Sequence, residues 1–178
     1  RLNLVNDGLI AGSATRLYGV LMENGATVLN QADGTITAAS AVAIRNSSGT
    51  VTNYGQITGT ALYAVFLEDG GTVTNRGGTI SGAGGVLVQH AAGTVVNDAT
   101  IAAASGSGTD AVNLAAGYAN RVAVAPGAVF IGTVDGGNTI GTGVASTLEL
   151  ATGGVGTIAG IGSGIQHFGS IVVDFGAS

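Results

Sequence analysis

Histidine, serine and acidic side chains are the groups in this chain that could carry acid–base or nucleophilic chemistry. There are two histidines: His90 precedes Ala91-Ala92-Gly93 in a turn, and His167 precedes Phe168. A serine triad requires a histidine beside a serine and an acid, and no spacing in the sequence provides one. No serine satisfies the Gly-x-Ser-x-Gly pattern of serine hydrolases; at the glycine-flanked Ser163, Ile161 stands where the first glycine belongs. We therefore predict no catalytic residues.

The ten acidic residues are spread along the chain and do not indicate a metal or sugar-cleaving site. Enzymes that cleave polysaccharides use paired carboxylates, or carboxylates that hold Ca²⁺ near a basic residue. Asp7 and Asp98 each follow a recurring asparagine, but that position holds Gln31, Tyr54 and Arg76 in the intervening segments. The chain has no cysteine for a thiolate metal site or a disulfide. We predict no metal, no cofactor and no enzymatic activity.

Charge and hydrophobicity restrict the partners. The formal net charge is −5, and all five basic residues are dispersed arginines, so nothing would neutralise a nucleic-acid backbone. No apolar run reaches the roughly 20 residues that a membrane helix needs. We expect no nucleic-acid partner and no membrane insertion of this segment.

Five asparagines recur at a nearly fixed spacing along the chain. This spacing indicates the repeated structural unit on which any functional site must be built. The asparagines are Asn6, Asn30, Asn53, Asn75 and Asn97, separated by 24, 23, 22 and 22 residues. A period in this range indicates a solenoid. Each asparagine could support its own turn by local hydrogen bonds, or the stacked amides could bond to one another. In either case the column is structural.

Each repeat contains three short β-runs joined by turns rich in Gly, Asn, Asp and Ser, so we predict an all-β solenoid with three strands per coil of about 22–24 residues. The regular coils cover 1–117. Residues 118–178 read as coils of a second repeat type in the same domain, with Pro126 at a corner. Further short strands are expected around Leu148, at 156–160 and at 168–175. The chain starts and stops within the pattern, so we expect it to be part of a longer protein.

In the third β-run of each repeat, successive side chains should point alternately into the core and toward the outer surface. The inward pairs are Val20/Met22, Val42/Ile44, Val65/Leu67, Val86/Val88 and Val112/Leu114; Leu21, Ala43, Phe66, Leu87 and Asn113 face outward. The next positions, Glu23, Arg45, Glu68 and Gln89, would pair opposite charges between coils.

An apolar stripe on this outer side is a candidate partner surface. It consists of Leu21, Phe66 and Leu87, interrupted by Ala43, with Tyr18 and Tyr63 in matching places two coils apart. We expect this face to meet another copy of the chain, or a protein or glycan of a host surface. A carbohydrate- or ice-binding ladder is a further alternative, because threonines recur one coil apart at Thr27, Thr50, Thr72 and Thr94.

The repeats resemble autotransporter passenger domains of Gram-negative bacteria. The matching runs are Val-Thr-Asn-x-Gly-x-Ile-x-Gly (Val51 to Gly59), Val-Thr-Asn-x-Gly-Gly-Thr-Ile-Ser-Gly (Val73 to Gly82) and Ala-Val-x-Leu-x-x-Gly (Ala64 to Gly70). The tail is similar to the passenger segment that leads toward the membrane-embedded barrel, through Asn120-Arg-Val-Ala-Val-Ala-Pro-Gly-Ala, Gly132-Thr-Val-Asp-Gly-Gly, Thr147-Leu-Glu-Leu and Phe168-Gly-Ser-Ile-Val-Val-Asp-Phe.

This resemblance implies a right-handed parallel β-helix that is secreted through the outer membrane by a C-terminal barrel, which lies outside this segment. It further implies display at the cell surface and a role in adhesion, aggregation, biofilm formation or virulence. The same family mounts enzymes on similar stems. Polysaccharide lyases and hydrolases also use β-helices, so the main alternative is a β-helical carbohydrate-active enzyme of one of these two kinds.

Overall fold

The fold is an all-β parallel solenoid, as the repeat predicts. The computed structural model describes residues 2–12, 17–104, 110–141 and 143–177. These residues form strands and turns without a helix, in about seven turns of about 23 residues each. In the described part of the chain, no helix is long and apolar enough to span a membrane.

The strands follow one another around the solenoid. They are β1 (Leu2–Asn6), β2 (Leu9–Ala11), β3 (Tyr18–Glu23), β4 (Ala26–Asn30), β5 (Thr35–Ala38), β6 (Ser40–Arg45), β7 (Gly49–Asn53), β8 (Gln56–Leu67), β9 (Gly71–Asn75), β10 (Thr79–Val88), β11 (Gly93–Asn97), β12 (Thr100–Ala103), β13 (Val112–Leu114), β14 (Arg121–Val124), β15 (Val129–Ile131), β16 (Val134–Asp135), β17 (Thr147–Leu150), β18 (Ile165–Gln166) and β19 (Ser170–Val173).

Parallel pairing stacks the strands into three faces. The first face is the sheet β1-β4-β7-β9-β11-β14-β17-β19. The second face contains β2, β5, β12, β15 and the first halves of β8 and β10. The third face contains β3, β6, β13, β16, β18 and the second halves of β8 and β10. Because β8 and β10 continue around the corner, the second and third faces form one sheet.

The core consists of columns of aliphatic side chains, one from each face. Val51, Ile57 and Val65 represent the three columns within one coil, and all three are fully buried. Their equivalents one coil further on, including Val73 and Ile80, are also fully buried. Each such side chain contributes about 1.5–3 kcal/mol when buried, and the next coil supplies the other half of its surroundings.

Two expectations about local structure were wrong. Ala43 was expected to face solvent, but it is fully buried, because it stacks in register between the larger Leu21 and Phe66. Residues 156–160 were expected to form a strand, but they are irregular and mostly exposed. The preceding Gly153 and Gly154 both have positive φ, which takes the backbone out of the extended conformation before this segment. Pro126 lies in a turn, as predicted.

Candidate functional site

The asparagine column is a buried ladder of side-chain amides. Asn6, Asn30, Asn53, Asn75 and Asn97 are joined in sequence by N–H···O bonds of 2.8, 2.8, 2.9 and 3.0 Å. Several of the amides also donate to a carbonyl of their own turn, such as that of Gly34 or Gly55. Both uses considered for the asparagines therefore occur together. The ladder holds neighbouring coils in register and is not accessible to a ligand.

A second buried polar cluster, in the tail, is not evident from the sequence. The side-chain oxygen of Asn120 accepts from the backbone N–H of Gly93, and its amide donates to the carbonyl of Gly136. Asn138 donates to the hydroxyl of Ser146 at 2.8 Å. By its spacing in the sequence, Asn120 would be the next member of the asparagine column. In the structure, Arg121 pairs in register with Thr94, so that the preceding residue, Asn120, is level with Gly93 and not with Asn97. Every buried side-chain nitrogen or oxygen among the described residues has a hydrogen-bond partner.

The outward column of the third face changes from apolar to polar along the rod. In coil order it reads Leu21, Ala43, Phe66, Leu87, Asn113, Asp135 and Gln166. Leu21 is 44% exposed, and Phe66 and Leu87 are half-buried. The residues chosen as a partner surface therefore lie on one face. Their column continues into a polar groove that the sequence did not indicate.

The tyrosines flank this stripe. Tyr18 pairs in register with Ser40, whose hydroxyl donates to the carbonyl of Tyr63 at 3.0 Å. The ring of Tyr63 lies over Gly84, where an added Cβ would collide with it. Burial raises the pKa of Tyr63, and the nearby carboxylate of Asp110 raises that pKa further. Because Asp110 also accepts from the Asn113 amide at 2.6 Å, it connects the stripe to the groove.

The charged row beside the stripe is present. The guanidinium of Arg45 donates to both carboxylate oxygens of Glu68, at 3.2 and 3.3 Å, which confirms this predicted cross-coil pair. Glu23 pairs in register with Arg45. The hydrogen bond and charge of Glu68, with a smaller contribution from Glu23, raise the pKa of Arg45. The row supports the register on a solvent-exposed side of the rod.

The polar groove contains both histidines of the chain. It has a volume of about 580 Å³, is open to solvent, and includes His90, Asn113, Tyr118, Asp135 and His167 in its lining. Their positions follow from the coil geometry. Asn113 and Asp135 are neighbours in the outward column, while the other three lie in the turns that follow strands of the third face.

Both histidines have left-handed backbone, with φ of 55° at His90 and 62° at His167. The other described non-glycine residues with positive φ are Asn24 and Asn46, at corners equivalent to that of His90. This conformation costs an L-residue about 1–2 kcal/mol, although asparagine and histidine adopt it more often than most. Strain of this kind tends to concentrate at functional sites.

Asp135 and His167 form a tightly held pair. Nδ1 of His167 lies 2.8 and 2.9 Å from the two carboxylate oxygens of Asp135. The carboxylate also accepts from the backbone N–H of Gly137 at 2.7 Å and from the amide of Gln166 at 3.3 Å. A carboxylate bonded to Nδ1 fixes the orientation of an imidazole, as it does in hydrolases. The sequence could have suggested the pair only once the coil register was known, because 32 residues separate the two.

The remaining cavities and columns offer less chemistry. A mostly apolar cavity of about 160 Å³ lies beside Pro126, Leu150 and Ile158, and none of the described residues that line it is titratable. The threonines Thr27, Thr50, Thr72 and Thr94 stack in register on the first face, half-exposed. Within the described ranges, no group of three or more His, Cys, Asp or Glu side chains is arranged to hold a metal ion.

Comparisons of the chain with family models, with curated proteins and with solved structures found no match. The likeness to autotransporter passengers therefore depends on the repeat motifs of the chain itself. The third face, with its apolar stripe and polar groove, is the surface on which a functional proposal can be built.

Proposed function

We propose that this chain is an adhesive, non-enzymatic segment of an autotransporter passenger, displayed at the cell surface. Its buried ladder and aliphatic core hold the coils of the rod in register, which leaves most outer side chains free to differ from coil to coil. The third face then binds a surface partner or another copy of the protein. The proposal includes export through the outer membrane, and contributions to aggregation, biofilm formation and virulence.

One observation carries the proposal. The apolar stripe of Leu21, Phe66 and Leu87 continues in register into the polar groove at Asn113 and Asp135, so one face offers both contact types along its length. Binding surfaces combine apolar and aromatic anchors with polar groups that fix orientation. A rod that served only as a stem would not require an outer face that changes from apolar to polar along its length.

Expression of the full-length protein in a non-adherent bacterial host tests this function. We expect intact cells to display the segment, as detected by an antibody against the chain. These cells should also aggregate or adhere to a host-cell layer more than cells with an empty vector do. A full-length protein that stays inside the cell, or that is displayed without any gain in adhesion, would contradict the proposal.

A β-helical carbohydrate-active enzyme is the second candidate, because Asp135 fixes the imidazole of His167 in an open groove. This candidate requires His167 to act as a general acid or base. Release of reducing or unsaturated ends from polysaccharides, abolished by His167→Ala, would favour it over the adhesive function. Turnover by the wild-type protein that His167→Ala leaves unchanged would count against a role for this pair.

A further inference from the structure

We propose that the polar groove around Asp135 and His167 is a binding site for a neutral saccharide. This inference deepens the proposed adhesive function, on which it rests, by naming the ligand class for one part of the third face. A groove of about 580 Å³ is within the size range of small-molecule sites and would accept one or two sugar rings.

The side chains of the groove match the hydrogen bonding of sugar hydroxyls, which both donate and accept. The amides of Gln89 and Asn113 offer donors and acceptors, and the carboxylate of Asp135 offers acceptors. Tyr118 is 38% exposed and presents an aromatic ring, suited to the apolar face of a pyranose. The lining combines these polar groups with the aliphatic side chains of Val88 and Leu114, and a pyranose, which has both hydroxyls and apolar C–H faces, matches such a mixed surface.

Charge decides between neutral and acidic saccharides. Arginines Arg45, Arg76 and Arg121 are absent from the described lining of the groove, and the chain has no lysine. A cation beside the ligand would strengthen recognition of a carboxylated or sulfated sugar. With Asp135 in the groove and Asp110 bonded to Asn113, an anionic ligand would meet repulsion.

The polar groups are fixed before any ligand arrives. Asp135 is held by the backbone of Gly137, by Gln166 and by His167, and the amide of Asn113 is held by Asp110. Such preorganisation reduces the entropy lost on binding.

The two histidines also provide the readout. The only imidazole signals in the NMR spectrum of the full 178-residue chain come from His90 and His167, and both report on the groove. We would titrate the chain with neutral oligosaccharides of glucose, galactose, mannose and N-acetylglucosamine. At least one should shift both signals saturably. Asn113→Ala and Tyr118→Ala should each weaken its binding about tenfold or more.

Matched controls are Asn3→Ala and Tyr54→Ala, which remove an exposed amide and an exposed ring elsewhere on the rod. Both variants should bind as the wild type does. The inference is overturned if no neutral probe shifts the signals, if only sialylated or uronate probes do, or if the groove variants bind normally. If Tyr118→Ala unfolds the chain, Tyr118→Leu replaces it, because leucine keeps an apolar side chain at this position but removes the aromatic ring; folding is checked by circular dichroism.

The same titration separates this inference from the function on which it rests. Adhesion by the displayed protein without saccharide binding would overturn the groove assignment and leave the adhesive function standing. Saccharide binding by a protein that confers no adhesion would overturn the adhesive function and leave the groove assignment standing.

Discussion

The side-chain amide nitrogen of Asn53 lies 2.9 Å from the side-chain oxygen of Asn75 in the next coil. Asn53 also accepts from Asn30 in the preceding coil and donates to the carbonyl of Gly55 in its own turn. One buried side chain thus joins three coils. Because this contact repeats along the rod, the register is set in the interior, and the outer faces can differ from coil to coil.

Replacing Asn53 with alanine tests the ladder. The variant loses the donor to Asn75 and the acceptor for Asn30, and leaves buried polar groups unpaired. Because each unpaired group costs about 1–3 kcal/mol, we expect the free energy of unfolding to fall by about 2–4 kcal/mol in denaturant titrations. Asn3→Ala, on the exposed side of β1, should change it by less than about 0.5 kcal/mol. Equal effects of the two substitutions would argue against the ladder.

Two glycines separate backbone strain from crowding between coils. Gly70 and Gly77 have nearly the same left-handed φ, 71° and 73°, but only at Gly70 would an added Cβ overlap neighbours, the Ala91 side chain and the Ala92 carbonyl oxygen of the next coil. Gly77→Ala should therefore cost about 1 kcal/mol, the penalty for left-handed backbone alone. Gly70→Ala should cost about 1–3 kcal/mol more, because the coils must move apart. Comparable unfolding midpoints for the two variants would contradict this close stacking.

The pair of Arg121 and Glu149 predicts a pH dependence. Nε of Arg121 donates to Glu149 at 2.6 Å, and this hydrogen bond lowers the pKa of Glu149 despite the opposing effect of burial. A carboxylate whose pKa is lower in the folded state stabilises the protein at neutral pH, and this stabilisation disappears as the pH falls through that pKa.

We therefore expect Glu149→Gln to lower the free energy of unfolding by about 0.2–1 kcal/mol at pH 7, since the pair is partly exposed. The difference from wild type should shrink as the pH falls below the ordinary glutamate pKa of about 4.3, and it should vanish once the pH is below the lowered pKa of Glu149. Asp33→Asn, at an exposed turn, serves as the control for a generic loss of charge. A difference for Glu149→Gln that is constant between pH 3 and 7, as judged by thermal melts across ~5 pH values, would refute the ion pair.

The link between the stripe and the groove can be measured at Tyr63. Burial is the larger cause of its raised pKa, and the charge of Asp110 is the smaller one. Asp110→Asn should therefore lower the pKa of Tyr63 in an NMR titration but leave it above its ordinary value. Asp7→Asn, an exposed acid in the first coil, should leave it unchanged. If Asp110→Asn has no effect, the two regions are not electrostatically connected.

The sequence predicts the scaffold because the scaffold is periodic. A column of asparagines at 22–24-residue spacing, with Val73 and Ile80 at fixed offsets, determines the coil, the core and the ladder. The pairing of Arg45 with Glu68 follows from the same offsets. These features depend only on residues one coil apart, so a single alignment of the repeats is enough to place them.

The groove could not be predicted, because it forms where the repeat becomes irregular. Asp135 and His167 are 32 residues apart, longer than one coil, so the spacing of the regular repeats does not align them. The sequence places His90 in a turn, and nothing local to it indicates a site. Ala43 was misplaced for a related reason: alternation gives the direction of a side chain, but its exposure depends on the size of its neighbours.

The most direct test of the proposed function compares two faces of the same displayed protein. Phe66→Ser with Leu87→Ser alters the apolar stripe of the third face, and Thr50→Ala with Thr72→Ala alters two neighbouring coils of the first face. With surface display matched by antibody staining, we predict that adhesion or aggregation is lost only in the third-face variant. Unchanged adhesion in that variant, or equal loss in both, would contradict the assignment of binding to the third face.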